Sequence, residues 1–108
     1  MNPKTLTALQ GSIDKWRRIE AGEIADHGIE NCALCQEFYY DSCEGCPVME
    51  RTRRKHCFGS PYIAWDDAHE EMDRFMGREG LVADTPELKD LAREEREFLE
   101  SLLPEKTK

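Results

Sequence analysis

Cys32-Ala33-Leu34-Cys35, Cys43-Glu44-Gly45-Cys46-Pro47 and Cys57 hold all 5 cysteines of the chain. Each Cys-x2-Cys pair closes a tight turn whose thiolates converge, and two pairs together can set four sulfurs about 2.3 Å from one tetrahedral ion. Residues 32 to 57 therefore read as a metal knuckle. Zinc is the first expectation, because four thiolates leave no open coordination position and a closed zinc site is structural. An iron–sulfur cluster is the alternative: it too takes four cysteines, and Cys46-Pro47 echoes the Cys-Pro of some cluster-binding runs. The spacing does not decide between them. Cys32, Cys35, Cys43, Cys46 and Cys57 compete for four positions, which leaves one sulfur as a hydrogen-bond partner of the others, a small buried residue or an exposed thiol. His27 and His56 are further candidates to replace a sulfur.

Outside the cluster, periodicity marks helices. Asn2-Pro3 opens the first, where Leu6, Leu9, Ile13, Trp16 and Ile19 recur at spacings of three and four. Gly11 weakens it by about 1 kcal/mol relative to Ala, Gly22 or Gly28 ends it, and Trp16 is expected to anchor the core. Between Asp26 and Gly59 only Glu37-Phe38-Tyr39-Tyr40 suggests a short strand or helical turn. Metal-binding energy, about 10–16 kcal/mol in small zinc modules, is expected to replace a core there. Ser60-Pro61 caps a second helix with the stripe Tyr62, Trp65, Ala68, His69, Met72, Phe75 and Met76, stopped by Gly77 and Gly80. His69, at the edge of the stripe, reads as a partly buried, satisfied histidine. Asp84-Thr85-Pro86-Glu87 starts a third helix with the stripe Leu88, Leu91, Ala92, Phe98, Leu99 and Leu102, ended by Pro104.

The short loop between the last two helices predicts an antiparallel αα-hairpin. The fold expected is mainly α and a small single domain over 1–108. It comprises an N-terminal helix (1–25), a cysteine-bound metal knuckle (26–59) and a C-terminal acidic helical hairpin (60–104).

A chain of 108 residues with 35% charged residues and a mean hydropathy of −0.74 favours helices with wide solvated faces. With no apolar run near the roughly 18 residues of a membrane span and no signal-peptide core, a cytoplasmic location is expected. Thiols stay reduced there, and an odd cysteine count further weakens a disulfide reading. The net charge of −8 divides unevenly: residues 1–58 carry 8 Lys+Arg against 9 Asp+Glu, and residues 59–108 carry 7 against 14. A tetrathiolate zinc site adds about two more negative charges, so general affinity for nucleic acid is expected to be low.

Asp66, Asp67, Glu70, Glu71 and Asp73 gather opposite the apolar stripe of the second helix. The third helix adds Glu87, Asp90, Glu94, Glu95, Glu97 and Glu100. These residues form either a solvated face or a surface for a partner protein with a basic surface. Arg51, Arg53, Arg54, Lys55 and His56 precede Cys57 as either a nucleic-acid patch or an offset to thiolate charge, and the offset is the preferred reading. Catalytic signatures are absent from the sequence: there is no phosphate loop, no Ser/His/Asp set and no open metal site beside a base. Dithiol redox chemistry normally needs a low-pKa thiol at a helix N-terminus in a βαβ context, and no such context is visible.

The run Cys32-Ala-Leu-Cys35, Cys43-Glu-Gly-Cys46-Pro47-Val48 and Cys57-Phe-Gly-Ser-Pro61-Tyr62, with Trp16 upstream, resembles a group of small cysteine-motif proteins encoded by bacteriophages and prophages. The resemblance covers about residues 16–65. It implies a phage origin, residence in the host cytoplasm and a metal site at the five cysteines, and it brings no catalytic residues. The function expected is that of a non-enzymatic accessory protein with a structural zinc site. Its acidic helical face would bind, and inhibit, a host nucleic-acid-handling or defence protein. The alternatives are a nucleic-acid-binding zinc module using Arg51, Arg53, Arg54 and Lys55, and an iron–sulfur or dithiol redox protein.

Overall fold

Asn2 starts α1 (Pro3–Glu20) in the computed structural model: its Oδ1 accepts the Thr5 N–H at 2.7 Å, and Pro3 occupies the first turn. The structure describes residues 1–27, 31–39, 43–54, 57, 59–68, 82–83 and 85–104, which form five helices and no strand. Gly22, at φ 79°, ends α1. The Gly22 N–H bonds the Ile19 carbonyl and the Glu23 N–H bonds the Arg18 carbonyl, both at 2.9 Å, so the closure is a Schellman motif built on the left-handed freedom of glycine.

The segment expected to be mostly loop carries two short helices, α2 (Ala33–Phe38) and α3 (Pro47–Thr52), with Cys32 and Cys46 at their N-cap positions. It also supplies core residues of its own: Leu34 and Val48 are buried in the same apolar cluster as the α1 side chains. A fourth helix, α4, covers 62–68 among the described residues. Ser60 starts it as the sequence indicates, its Oγ accepting the Tyr62 N–H at 3.3 Å. Thr85 caps α5 (Pro86–Ser101) through the Leu88 N–H at 3.2 Å.

Helix α1 is the centre of the molecule. Arg17 meets Glu100, Glu20 meets Arg96 and the Glu20 carbonyl accepts from Lys89, so α5 runs antiparallel along α1. On an adjoining face α2 comes close enough that a Cβ on Gly11 would stand 3.1 Å from that of Ala33. Ser12 Oγ accepts the buried Leu34 N–H at 3.2 Å on the same side. Two neighbours need a wider buried face than one apolar stripe, which is why Ala8, Ser12 and Lys15 are buried beside Leu9, Ile13, Trp16 and Ile19. Of the expected hairpin, residues 69–81, with His69, Met72, Phe75, Met76 and the stops Gly77 and Gly80, and Asp84 of the loop 80–84 lie outside those described.

Trp16 anchors the core, stacked edge-on against Trp65 at 5.1 Å and Tyr62 at 5.8 Å between ring centroids. Beneath these rings sits Asp26, fully buried. It pairs with Lys15 Nζ at 2.8 Å and accepts from Trp65 Nε1 at 2.8 Å and the Tyr62 hydroxyl at 3.1 Å. Breaking such a pair strands a buried charge, at a cost of about 3–5 kcal/mol. Asp26→Asn, which keeps an oxygen acceptor but leaves the Lys15 ammonium alone, is expected to destabilise by about that amount in urea unfolding. The double variant Lys15→Met/Asp26→Asn should recover most of the loss.

Candidate metal centre

Three backbone turns bring the cysteines together. Cys32 caps α2, and its Sγ accepts the Cys35 N–H at 3.1 Å. The second pair closes through the Cys46 N–H bonding the Cys43 carbonyl at 3.0 Å, with Cys43 at φ 64° and Gly45 at φ 86°. The Val48 and Met49 N–H groups at the start of α3 face the Cys46 sulfur. Cys57, at φ 65°, offers its carbonyl to the Ser60 hydroxyl at 2.7 Å. Two non-glycine residues in the left-handed region cost about 1–2 kcal/mol each, so the fold spends backbone strain to place Cys43 and Cys57.

All five cysteines line one cavity of about 160 Å³. Leu34, Phe38, Val48, Met49 and Leu99 supply its apolar wall, and Lys15, Arg54, Tyr62 and Glu95 its polar groups. The sulfurs surround a space rather than a point: among the described residues, no three His, Cys, Asp or Glu side chains stand where a single ion would join them.

The thiols differ in their readiness to ionise. Hydrogen bonding from the Cys35 thiol lowers Cys32 to about 6 against the opposing effect of burial, helped by the Cys35 N–H and the Lys15 charge. Cys35 is the donor of that pair and is raised by the same bond and then by burial. Burial raises Cys46 against the pull of the Met49 and Val48 N–H groups. It also raises Cys57, with Glu95 the next cause. Tyr62 is raised by burial and then by Asp26, which keeps its hydroxyl a donor.

Glu95 is the group that the sequence reading misplaced. Assigned there to the acidic surface of the third helix, it is 3% exposed, and its Oε1 is buried without a hydrogen-bond partner. Its row on α5 is Leu88, Ala92, Glu95 and Leu99, all buried. That spacing of four, three and four residues was the signal available in the sequence. Lys15 lies on a similar inward row of α1, whereas nothing in the local pattern marked Asp26.

The other expected site residues are scattered. Asp66 is half-buried and Asp67 exposed on α4, while Glu70, Glu71 and Asp73 lie outside the described residues. Arg51 reaches the Ser101 carbonyl at 3.4 Å, Arg53 forms the left-handed C-cap of α3, and Arg54 lines the cavity. Lys55 and His56 lie outside the described residues. His27 is exposed, and its N–H is bonded to Asn31 Oδ1.

Burial, with the Cys32 charge next and Lys15 opposing, pushes Glu95 from 4.5 up to about 8. The folded chain then binds a proton that the unfolded chain has lost, so stability falls as pH rises from about 4.5 to about 8 and levels off above. Urea unfolding of the metal-free chain should show this decline from about pH 4.5 to about 6, below the range in which the lowered Cys32 thiol titrates with the opposite sign, and Glu95→Gln should remove it.

Comparisons of the chain with protein-family models, with curated proteins and with solved structures give no match.

Proposed function

We propose that the chain is a metal-stabilised helical binding module whose cysteines hold structural zinc. The observation that carries this reading is the convergence of all five cysteines on one cavity lined by residues of α1, α2, α3, α4 and α5. The donor set suits a thiophilic cation: Cys32 ionises readily, backbone N–H groups face the Cys32 and Cys46 sulfurs, and Lys15 and Arg54 offset negative charge at the wall. Four of Cys32, Cys35, Cys43, Cys46 and Cys57 would close inward from the cavity wall onto the ion as its ligands. Zinc brought there supplies a cross-link between segments and no redox chemistry.

The purified protein should contain about one zinc per chain by elemental analysis. Its removal by a chelator should lower the melting temperature by more than about 10 °C, because each kcal/mol corresponds to about 4–8 °C in a domain of this size. Cys32→Ser and Cys35→Ser should each reproduce that loss. Of Cys43, Cys46 and Cys57, one should prove nearly silent to the same substitution. Unchanged melting after metal removal contradicts the proposal.

An iron–sulfur cluster is the second reading, favoured by the size of the cavity, about five times the ~30 Å³ share of one water. Iron in the elemental analysis and a brown protein would replace zinc by it.

The working surface, in this proposal, is the acidic exterior. Glu87, Asp90, Glu94 and Glu97 are exposed on α5 and Asp67 on α4. Their charge complements a basic protein, in keeping with a phage accessory protein that occupies a host protein, and repels phosphate. Gel shifts at physiological salt should show no complex with single- or double-stranded nucleic acid. A complex lost in Arg51→Ala/Arg53→Ala would favour the nucleic-acid alternative.

A further inference from the structure

We propose that Glu95 is an oxygen donor to the metal held by the cysteines, making the centre a mixed sulfur–oxygen site. This rests on the zinc reading above. Glu95 lines the same cavity as the five thiols, is 3% exposed, and keeps Oε1 without a hydrogen-bond partner. A buried carboxyl oxygen left unsatisfied is destabilising, while a leucine or methionine at this position would continue the apolar row without that penalty.

The cationic and hydroxyl groups nearby are engaged elsewhere. Lys15 pairs with Asp26 at 2.8 Å, the Tyr62 hydroxyl donates to Asp26 at 3.1 Å, and Arg96 is held between Glu20 and Glu100. The Tyr62 N–H reaches the Glu95 carboxyl and Arg54 shares the cavity wall, yet Oε1 keeps no partner, and an occupant of the cavity would supply one. A cation suits both the carboxylate and the thiolates around it, and zinc accepts carboxylate oxygen at about 2.0–2.2 Å as readily as sulfur at about 2.3 Å. A position in the interior of α5, capped at Thr85, fixes the carboxylate on a rigid element.

The test uses the full chain loaded with zinc. Zinc-edge X-ray absorption of the unmutated protein should give a coordination shell with at least one oxygen at the shorter distance beside the sulfurs. In chelator competition, Glu95→Gln should weaken zinc binding at least about tenfold. The same variant stripped of metal should keep the fold of the metal-free parent, so that the loss of affinity is read on a folded chain. Glu97→Gln, on the exposed face of the same helix, should change neither.

An all-sulfur shell, or equal zinc affinity for the parent and Glu95→Gln, overturns the role of Glu95 and leaves the zinc site standing. A parent chain that binds no zinc overturns the zinc reading and this one with it.

Discussion

The Asp26 carboxylate is the contact on which the arrangement depends. Buried completely, it takes an ammonium from α1 and two side-chain donors from α4, just where the chain has left the Schellman turn. Such a pair gains little over well-packed apolar side chains, because desolvating both charges offsets most of their attraction. Its effect is selective: any packing that separates Lys15 from Asp26 leaves a buried charge unpaired. Trp16, with its ring against both Trp65 and Tyr62, packs apolar surface around the polar centre and keeps water out.

The cysteine cavity is built against this frame. Lys15 and Tyr62 belong both to the Asp26 network and to the cavity wall, and Ser12 fixes the start of α2 through the Leu34 N–H. Part of the lining is thus set by α1 and α4, and another part by the short helices whose N-cap positions are themselves cysteines. The cation proposed for this space would link the three turns of the 32–57 segment to one another. Through Glu95 it would also reach α5, which among the described residues packs on α1 more extensively than α2 does.

How much of this was legible depends on whether the signal was local. The first and last long helices were readable because capping, proline and apolar spacing coincide in Asn2-Pro3 and Thr85-Pro86. The cysteine pairs were readable because their spacing is short and chemically specific. α2 and α3 were not, since six-residue helices show too little periodicity and their capping residues are sulfurs that the motif reading assigns to metal. The pairing of α5 with α1 escaped because loop length speaks only of sequence neighbours, whereas these helices meet through Glu20–Arg96 and Arg17–Glu100. Glu95 was misread because charge was counted before helical position, and Asp26 because its three partners come from distant parts of the chain.

The central claim, that the five thiols converge on one metal-holding cavity, is tested most directly by counting the sulfurs a metal protects. Native alkylation of the purified chain, read by intact mass, should leave at least four of the five cysteines unmodified. After chelation all five should react. Equal and complete modification before and after chelation would contradict the account.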